Sequence, residues 1–275
     1  MKRKLFCQIS PLTYKISVEK NIALRKLSDI LKKESFASEK SKEHLPVVVY
    51  TYHALIRRRL GQVDMRLQNN KAVNLSIAAP KVDGILIKPG ETFSFWRLVG
   101  RDSKRSGYLE GLTISDGKVS SGIGGGMCQF TNLIHWLVLH SELTVTEHHH
   151  HDGFDLFPDF RRQIPFGTGT SIMYNYMDYR VRNYTDRTYQ LLIKSDGEYL
   201  NGELRADKPQ PLKYHIKSEN ERFVSEKGTV YRCGKVIRKG INKKTGEVVF
   251  LESLRDNHAK VMYDTDNIPQ IQILS

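Results

Sequence analysis

The 275-residue sequence has no apolar run approaching the roughly 20 residues that a membrane-spanning helix needs. Cysteine is scarce. Cys7, Cys128 and Cys233 are three in number and far apart, which argues against a disulfide framework and fits a reducing compartment. The start, MKRKLFCQISPLTYKISVEK, is basic but has no apolar h-region after the basic residues. Gln8, Ser10, Pro11 and Lys15 interrupt it, so no secretory signal is read. Acidic residues are in deficit: 30 Asp and Glu against 43 Lys and Arg leave a formal net charge of +13. No nucleic-acid-binding motif accompanies that excess, and the basic residues are dispersed apart from Arg57-Arg58-Arg59. Internal repeats and low-complexity segments are also missing. The expectation is a cytoplasmic globular protein, with peripheral contact to a membrane left open. Its charge suits an anionic cell-wall precursor or an acidic membrane surface, and no nucleic acid is expected.

The elements present argue for an α+β fold. Residues 19–34 place Ile22, Leu24, Leu27, Ile30 and Leu31 at mainly 3–4 spacing, an amphipathic helix with a basic outer face. Ser35 to Glu43 reads as a polar connector. The segment opened by Pro46, VVVYTYHALIRRRL, starts like a strand and has an ambiguous end. A second helix is expected over Leu67 to Ala79, ended or kinked by Pro80. Ile85 to Ile87 reads as a strand, followed by a Pro89-Gly90 turn. From Ser171 the chain is β-rich, with a hairpin at Asp196-Gly197. KPQP (208–211) reads as a linker to a strand-turn-strand tail with a turn near Thr245-Gly246. The division expected is a helix-rich N-terminal portion (1–81), a mixed core with a cysteine-bearing helix packed on a sheet (82–204), and a β-rich C-terminal extension (205–275) without catalytic residues.

The chemistry concentrates in SGIGGGMCQFTNLIHWLVLHSELTVTEHHHH, residues 121–151. Gly122, Gly124, Gly125 and Gly126 free the backbone for positive φ or close approach. Cys128 follows at the mouth of a helix whose apolar stripe is Phe130, Leu133, Ile134, Leu137 and Val138. A helix N-terminus favours a thiolate, and its N–H groups can hold an oxyanion, with Gly124, Gly125, Gly126 and Gln129 as the nearest candidates. LTVTEHHHH alternates as a strand. On period two, Leu143, Val145, Glu147, His149 and His151 share the face expected to meet the core and the cysteine. A nearby imidazole could take the thiol proton and return it. Glu147, Asp152, Asp155 and Asp178 are carboxylates that could orient it. The competing readings are a buried apolar cysteine, a solvated strand end, and a metal site using the histidines with Cys128. No metal and no cofactor is assigned.

Four stretches resemble the VanW family: PGETFSFWRLVG, GYLEGLTISDGKVSSGIGGGMCQFTNLIHWLVL, LTVTEHHHHDGFDLFPDF and MDYRVRNYTD. The resemblance covers nearly the whole chain, is closest to the standalone branch, and has its widely shared core at about Val82 to Leu204. It implies a link to glycopeptide resistance of the vancomycin B type and to peptidoglycan. It further implies an L,D-transpeptidase-like acyl transfer through Cys128, acting on peptidoglycan peptides or their precursors. The family histidines fall on His149 and His151, and the resemblance prefers His151 as the base. The sequence departs from the family pattern at Asp152, where the family usually has Ser, and in GTGTSI, where Gly169 replaces an Asp. A non-catalytic accessory that binds cell-wall precursors or resistance enzymes is the alternative.

Overall fold

The computed structural model describes residues 5–58, 64–115, 117–150, 153–158, 164–174, 176–266, 268 and 270–274. In chain order the elements are α1 (Pro11–Leu31), β1 (Val47–Leu55), α2 (Met65–Val82), β2 (Ile85–Ile87), β3 (Thr92–Ser94), α3 (Phe95–Val99), β4 (Glu110–Ser115), β5 (Lys118–Ile123), α4 (Met127–Leu139), β6 (Thr144–Glu147), β7 (Phe154–Asp155), β8 (Arg180–Arg182), β9 (Tyr189–Ser195), β10 (Tyr199–Ala206), β11 (Leu212–Glu226), β12 (Thr229–Asn242), β13 (Val248–Val261) and β14 (Ile271–Leu274). Helices and sheets are both substantial and the C-terminal part is β-rich, an α+β fold.

An antiparallel sheet of order β1-β10-β9-β2 forms one wall of the core. A smaller sheet has the order β3-β8-β6. Packed on β1 and β10, α4 is buried on nearly every side: Phe130, Leu133, Ile134, Leu137 and Val138 are at most 1% exposed. Each such large side chain contributes roughly 1.5–3 kcal/mol on leaving water. Leu133 and Leu137 lie so close to Gly202 of β10 that a Cβ there would fall 2.6 Å from Leu133, which accounts for a glycine inside a strand. On the opposite face, the rings of Phe130 and Phe95 meet edge to face at 5.2 Å.

The 1–81 stretch is not a separate helical unit. β1 is an edge strand of the core sheet, and Leu75, Ala78, Ala79 and Val82 of α2 belong to the same apolar cluster as α4. Pro80 sits inside the last turn of α2 rather than ending it; the Asp83 N–H still closes on Ala79 O at 2.9 Å. The polar connector is a strap over the sheet. Ala37 is buried, and Gln190 of β9 donates to Ser41 O and Glu43 O while accepting from the Leu45 N–H. A buried amide in a strand is thereby satisfied. The amphipathic reading of α1 is inverted. Of its apolar positions only Ile22 is buried, and Leu24, Leu27, Ile30 and Leu31 face solvent.

The tail is a long meander, β11-β12-β13, flanked by β14 and β7. It is docked on the end of α4. Arg238 Nε donates to Leu139 O at 2.8 Å, and Gln210 Nε2 donates to His140 O at 2.9 Å. These are carbonyls that a helix C-terminus leaves without partners, and the guanidinium also answers the negative end of the helix dipole.

Candidate functional site

The glycine turn is held by close backbone approach and by a buried amide. β4 and β5 form a hairpin, and the chain returns so tightly that a Cβ on Gly125 would fall 2.2 Å from the Gly111 carbonyl carbon. Asn74 of α2, fully buried, clamps this crossing. Its Nδ2 donates to Leu109 O at 3.0 Å and Gly125 O at 2.9 Å, and its Oδ1 accepts from the Leu109 N–H. Gly126 then caps α4 with a φ of 114° that L side chains avoid.

Two ionisable side chains, neither singled out by the sequence reading, lie against this turn. The Asp102 carboxylate occupies the space a Gly124 Cβ would need, and the Lys71 stem occupies the space at Gly126. Burial pushes the Asp102 carboxyl up to about 6, against the pull of its own backbone N–H and of Arg101 and Lys81. Burial, with Arg58 and Arg57 nearby, lowers the Lys71 amine to about 7. Only contact across α2, the β4–β5 hairpin and α4 reveals them; nothing in their local sequence marks them.

Cys128 is the second residue of α4 and half-buried. The Ile172 backbone favours the thiolate, yet burial dominates and raises the thiol above its ordinary value, with the Asp102 charge adding to the rise. The thiol is therefore mainly protonated at neutral pH, in contrast to the expectation from the helix terminus alone. Among the candidate oxyanion donors, the Gly124 N–H is bonded to Leu109 O and the Gly125 N–H to Gly122 O. Gln129 Nε2 donates to Leu55 O at 2.9 Å. The amides of Gly126, Met127 and Cys128 have no backbone acceptor among the described residues.

The histidines do not follow the expected alternation. β6 ends at Glu147, and its pairing with β8 runs Val145 to Val181, then Glu147 to Arg180, so Thr146 is the extra residue of a bulge. A bulge shifts every later side chain to the opposite face. His149 accordingly leaves the core side and meets Glu147 Oε1 at 2.9 Å, beside Arg25 and Arg180. His148 turns inward instead. Its ring lies 4.2 Å from that of His135 and 4.0 Å from that of His150, and its Nε2 meets Gly169 O at 3.1 Å. His135 Nδ1 meets the Tyr179 hydroxyl at 3.0 Å. Burial lowers His148 to about 4 and takes His135 well below the ordinary imidazole value, so both are neutral at pH 7. His151 and Asp152 lie outside the described residues. Of the other carboxylates, Asp178 accepts from the Trp96 N–H at 3.0 Å and pairs with Arg180, and Asp155 accepts from the Tyr263 hydroxyl at 2.9 Å.

His135, His148 and His150 line a cavity of about 500 Å³ between the core and the tail; Cys128 is not among its lining residues. His135 follows Cys128 by seven residues, or about 10 Å along the helix axis. Among the described residues no group of three or more His, Cys, Asp or Glu side chains is placed to hold a metal ion.

A family model described as "VanW like protein" matches residues 70–205, which hold the glycine turn, α4 and the inward histidines. The chain is 36% identical over 237 residues to the vancomycin B-type resistance protein VanW of Enterococcus faecalis, 86% of either chain. It belongs to the VanW family. The uncharacterized protein YoaR of Bacillus subtilis is 26% identical to this VanW-family chain over 131 residues, 46% of this chain and 40% of that one. No solved structure matches this VanW-family chain. The family match stops at residue 205, so the tail that caps α4 and completes the cavity lies outside it.

Proposed function

We propose that this protein is an accessory factor of glycopeptide resistance that works as a cysteine acyl transferase on peptidoglycan stem peptides or their precursors, in the manner of an L,D-transpeptidase. The observation that carries the reading is the half-buried thiol of Cys128 at the N-terminus of α4, within the field of the Asp102 carboxylate, itself poised near neutrality. A thiol with a raised pKa needs its proton removed as it attacks. In the proposed step Asp102 takes that proton while sulfur adds to the donor carbonyl. The amides of Gly126, Met127 and Cys128 receive the oxyanion. Collapse breaks the C–N bond, the departing amine takes the proton from Asp102, and a thioester remains for an acceptor amine. His151, and after it His149, are the competing assignment for the base.

The test is intact-mass spectrometry after incubation with tetrapeptide stems. A covalent acyl adduct on the native protein, lost in Cys128→Ala and retained in Cys233→Ala, is expected. Asp102→Asn and His151→Ala in the same assay separate the two bases. Absence of any adduct favours the second reading, a non-catalytic accessory binding cell-wall precursors or resistance enzymes. The raised thiol pKa supports that alternative.

A further inference from the structure

Helix α1 is attached to the body by its polar side. Asp29 pairs with both guanidinium nitrogens of Arg180 at 2.6 and 2.8 Å, Arg25 pairs with Glu147, and Glu19 pairs with Arg101 at 2.9 Å. Ile22 is the one buried residue of the helix. The other side carries Leu12 (67% exposed), Ile16 (49%), Leu24 (55%), Leu27 (52%), Ile30 (72%) and Leu31 (73%). At 3.6 residues per turn these six fall within an arc of about 120°. A helix normally turns such a stripe to the core; here ion pairs hold it outward.

The charge around the stripe says what it meets. Lys20 lies within the arc, Lys15 and Lys26 border one side, and Lys32 and Lys33 follow the last turn; all five are exposed. None of them joins an ion pair among the described residues. A protein partner with an apolar groove would supply hydrophobic contact but leave these ammonium groups unanswered. An anionic bilayer answers both, with acyl chains under the leucines and phosphates beside the lysines. The whole chain adds a net +13 in the same sense. Among the described residues no helix is long and apolar enough to cross a membrane, so the geometry is that of a helix lying in the plane.

We infer that α1 is a membrane-surface anchor, which docks its Leu12–Leu31 stripe into the interface of a bilayer rich in anionic lipid. The inner side of α1 is bonded to Glu147, at the end of β6, so the strand leading to the histidines sits within about one helix diameter, 10–12 Å, of the bilayer. The inference is independent of the acyl-transfer chemistry.

The experiment is flotation of the full chain with vesicles of phosphatidylglycerol and phosphatidylcholine, against pure phosphatidylcholine. The native protein is expected to float with the anionic vesicles and to be released by high salt. The double variant Leu24→Glu/Leu27→Glu should lose at least tenfold in bound fraction with unchanged helical circular dichroism, since neither side chain is buried. Lys20→Glu/Lys26→Glu should lose binding in proportion to the anionic lipid content. Sedimentation velocity without vesicles should give a monomer. Failure of the native protein to bind anionic vesicles overturns the inference, as does equal binding by the leucine variant. A concentration-dependent dimer abolished by Leu24→Glu/Leu27→Glu would also overturn it, because the stripe would then belong to a second copy.

Discussion

The two ends of α4 differ in kind. The N-terminal end has a thiol, three amides with no backbone acceptor among the described residues and two ionisable groups whose pKa values burial has drawn toward neutrality, but Cys128 does not line the large cavity. The C-terminal half has the cavity, three close imidazoles and an arginine cap, and Cys128 is not among the residues lining that cavity. The difference teaches that histidines near a cysteine in sequence need not be its proton partners. His135 and His148 are neutral for the same reason that the thiol is protonated: each is buried without an opposite charge. The inward imidazoles line the cavity, whereas Asp102 and Lys71 lie at the thiol's own end.

The largest effect that could break this contrast is on rate. If the thiol end works alone, Asp102→Asn slows formation of the acyl adduct by roughly 10²–10⁴-fold, the usual range for a general base. If His148→Ala slows it as much, the two ends form one site. Stability gives the next contrast. Gly125→Ala forces a Cβ against the Gly111 carbonyl and should cost at least about 1–3 kcal/mol in urea unfolding. Gly169→Ala, at the histidine end, meets nothing nearer than Asn132 Oδ1 at 4.0 Å and should stay within about 0.5 kcal/mol.

Lys71 sharpens the comparison through pH. Its folded value of about 7 lies below the 10.5 of the exposed amine, so the unfolded chain binds the extra proton between those values. Stability therefore rises with pH across that window, and the burial penalty is full at and below about pH 7. Lys71→Met, which keeps most of the stem against Gly126, should be more stable than the native protein near pH 7. Its advantage should shrink as pH approaches 10.5, read as the difference in denaturation midpoints. The smallest effect expected is on thiol reactivity. Alkylation of Cys128 should keep accelerating as pH rises past 9. His148→Ala should change its rate by less than about tenfold, the equivalent of about 1.4 kcal/mol.

Much of the architecture was legible in the chain. The glycine run, the stripe on α4, the Asp196-Gly197 hairpin and the KPQP break mark local geometry, and local geometry is what a sequence pattern encodes. The position of Cys128 at the opening of α4 was legible for the same reason. Three things were not. The outward stripe of α1 has the spacing of a core helix, and the ion pairs of Glu19, Arg25 and Asp29 fix which side faces the body. Asp102 and Lys71 approach the thiol end from distant segments, with ordinary neighbours in sequence. The faces of the histidines turn on one bulged residue, Thr146, which resembles any strand threonine.

That bulge has a consequence for how the chain tolerates error. Elsewhere a one-residue slip of a strand replaces a core side chain by a surface one. After Thr146, a slip by one brings another histidine to the inward position, because residues 148–151 are identical. The run is a stretch of the message in which a frame error leaves the word unchanged. Deleting Thr146 should cost the strand its bulge yet leave Glu147 opposite Arg180 and His148 itself facing His135.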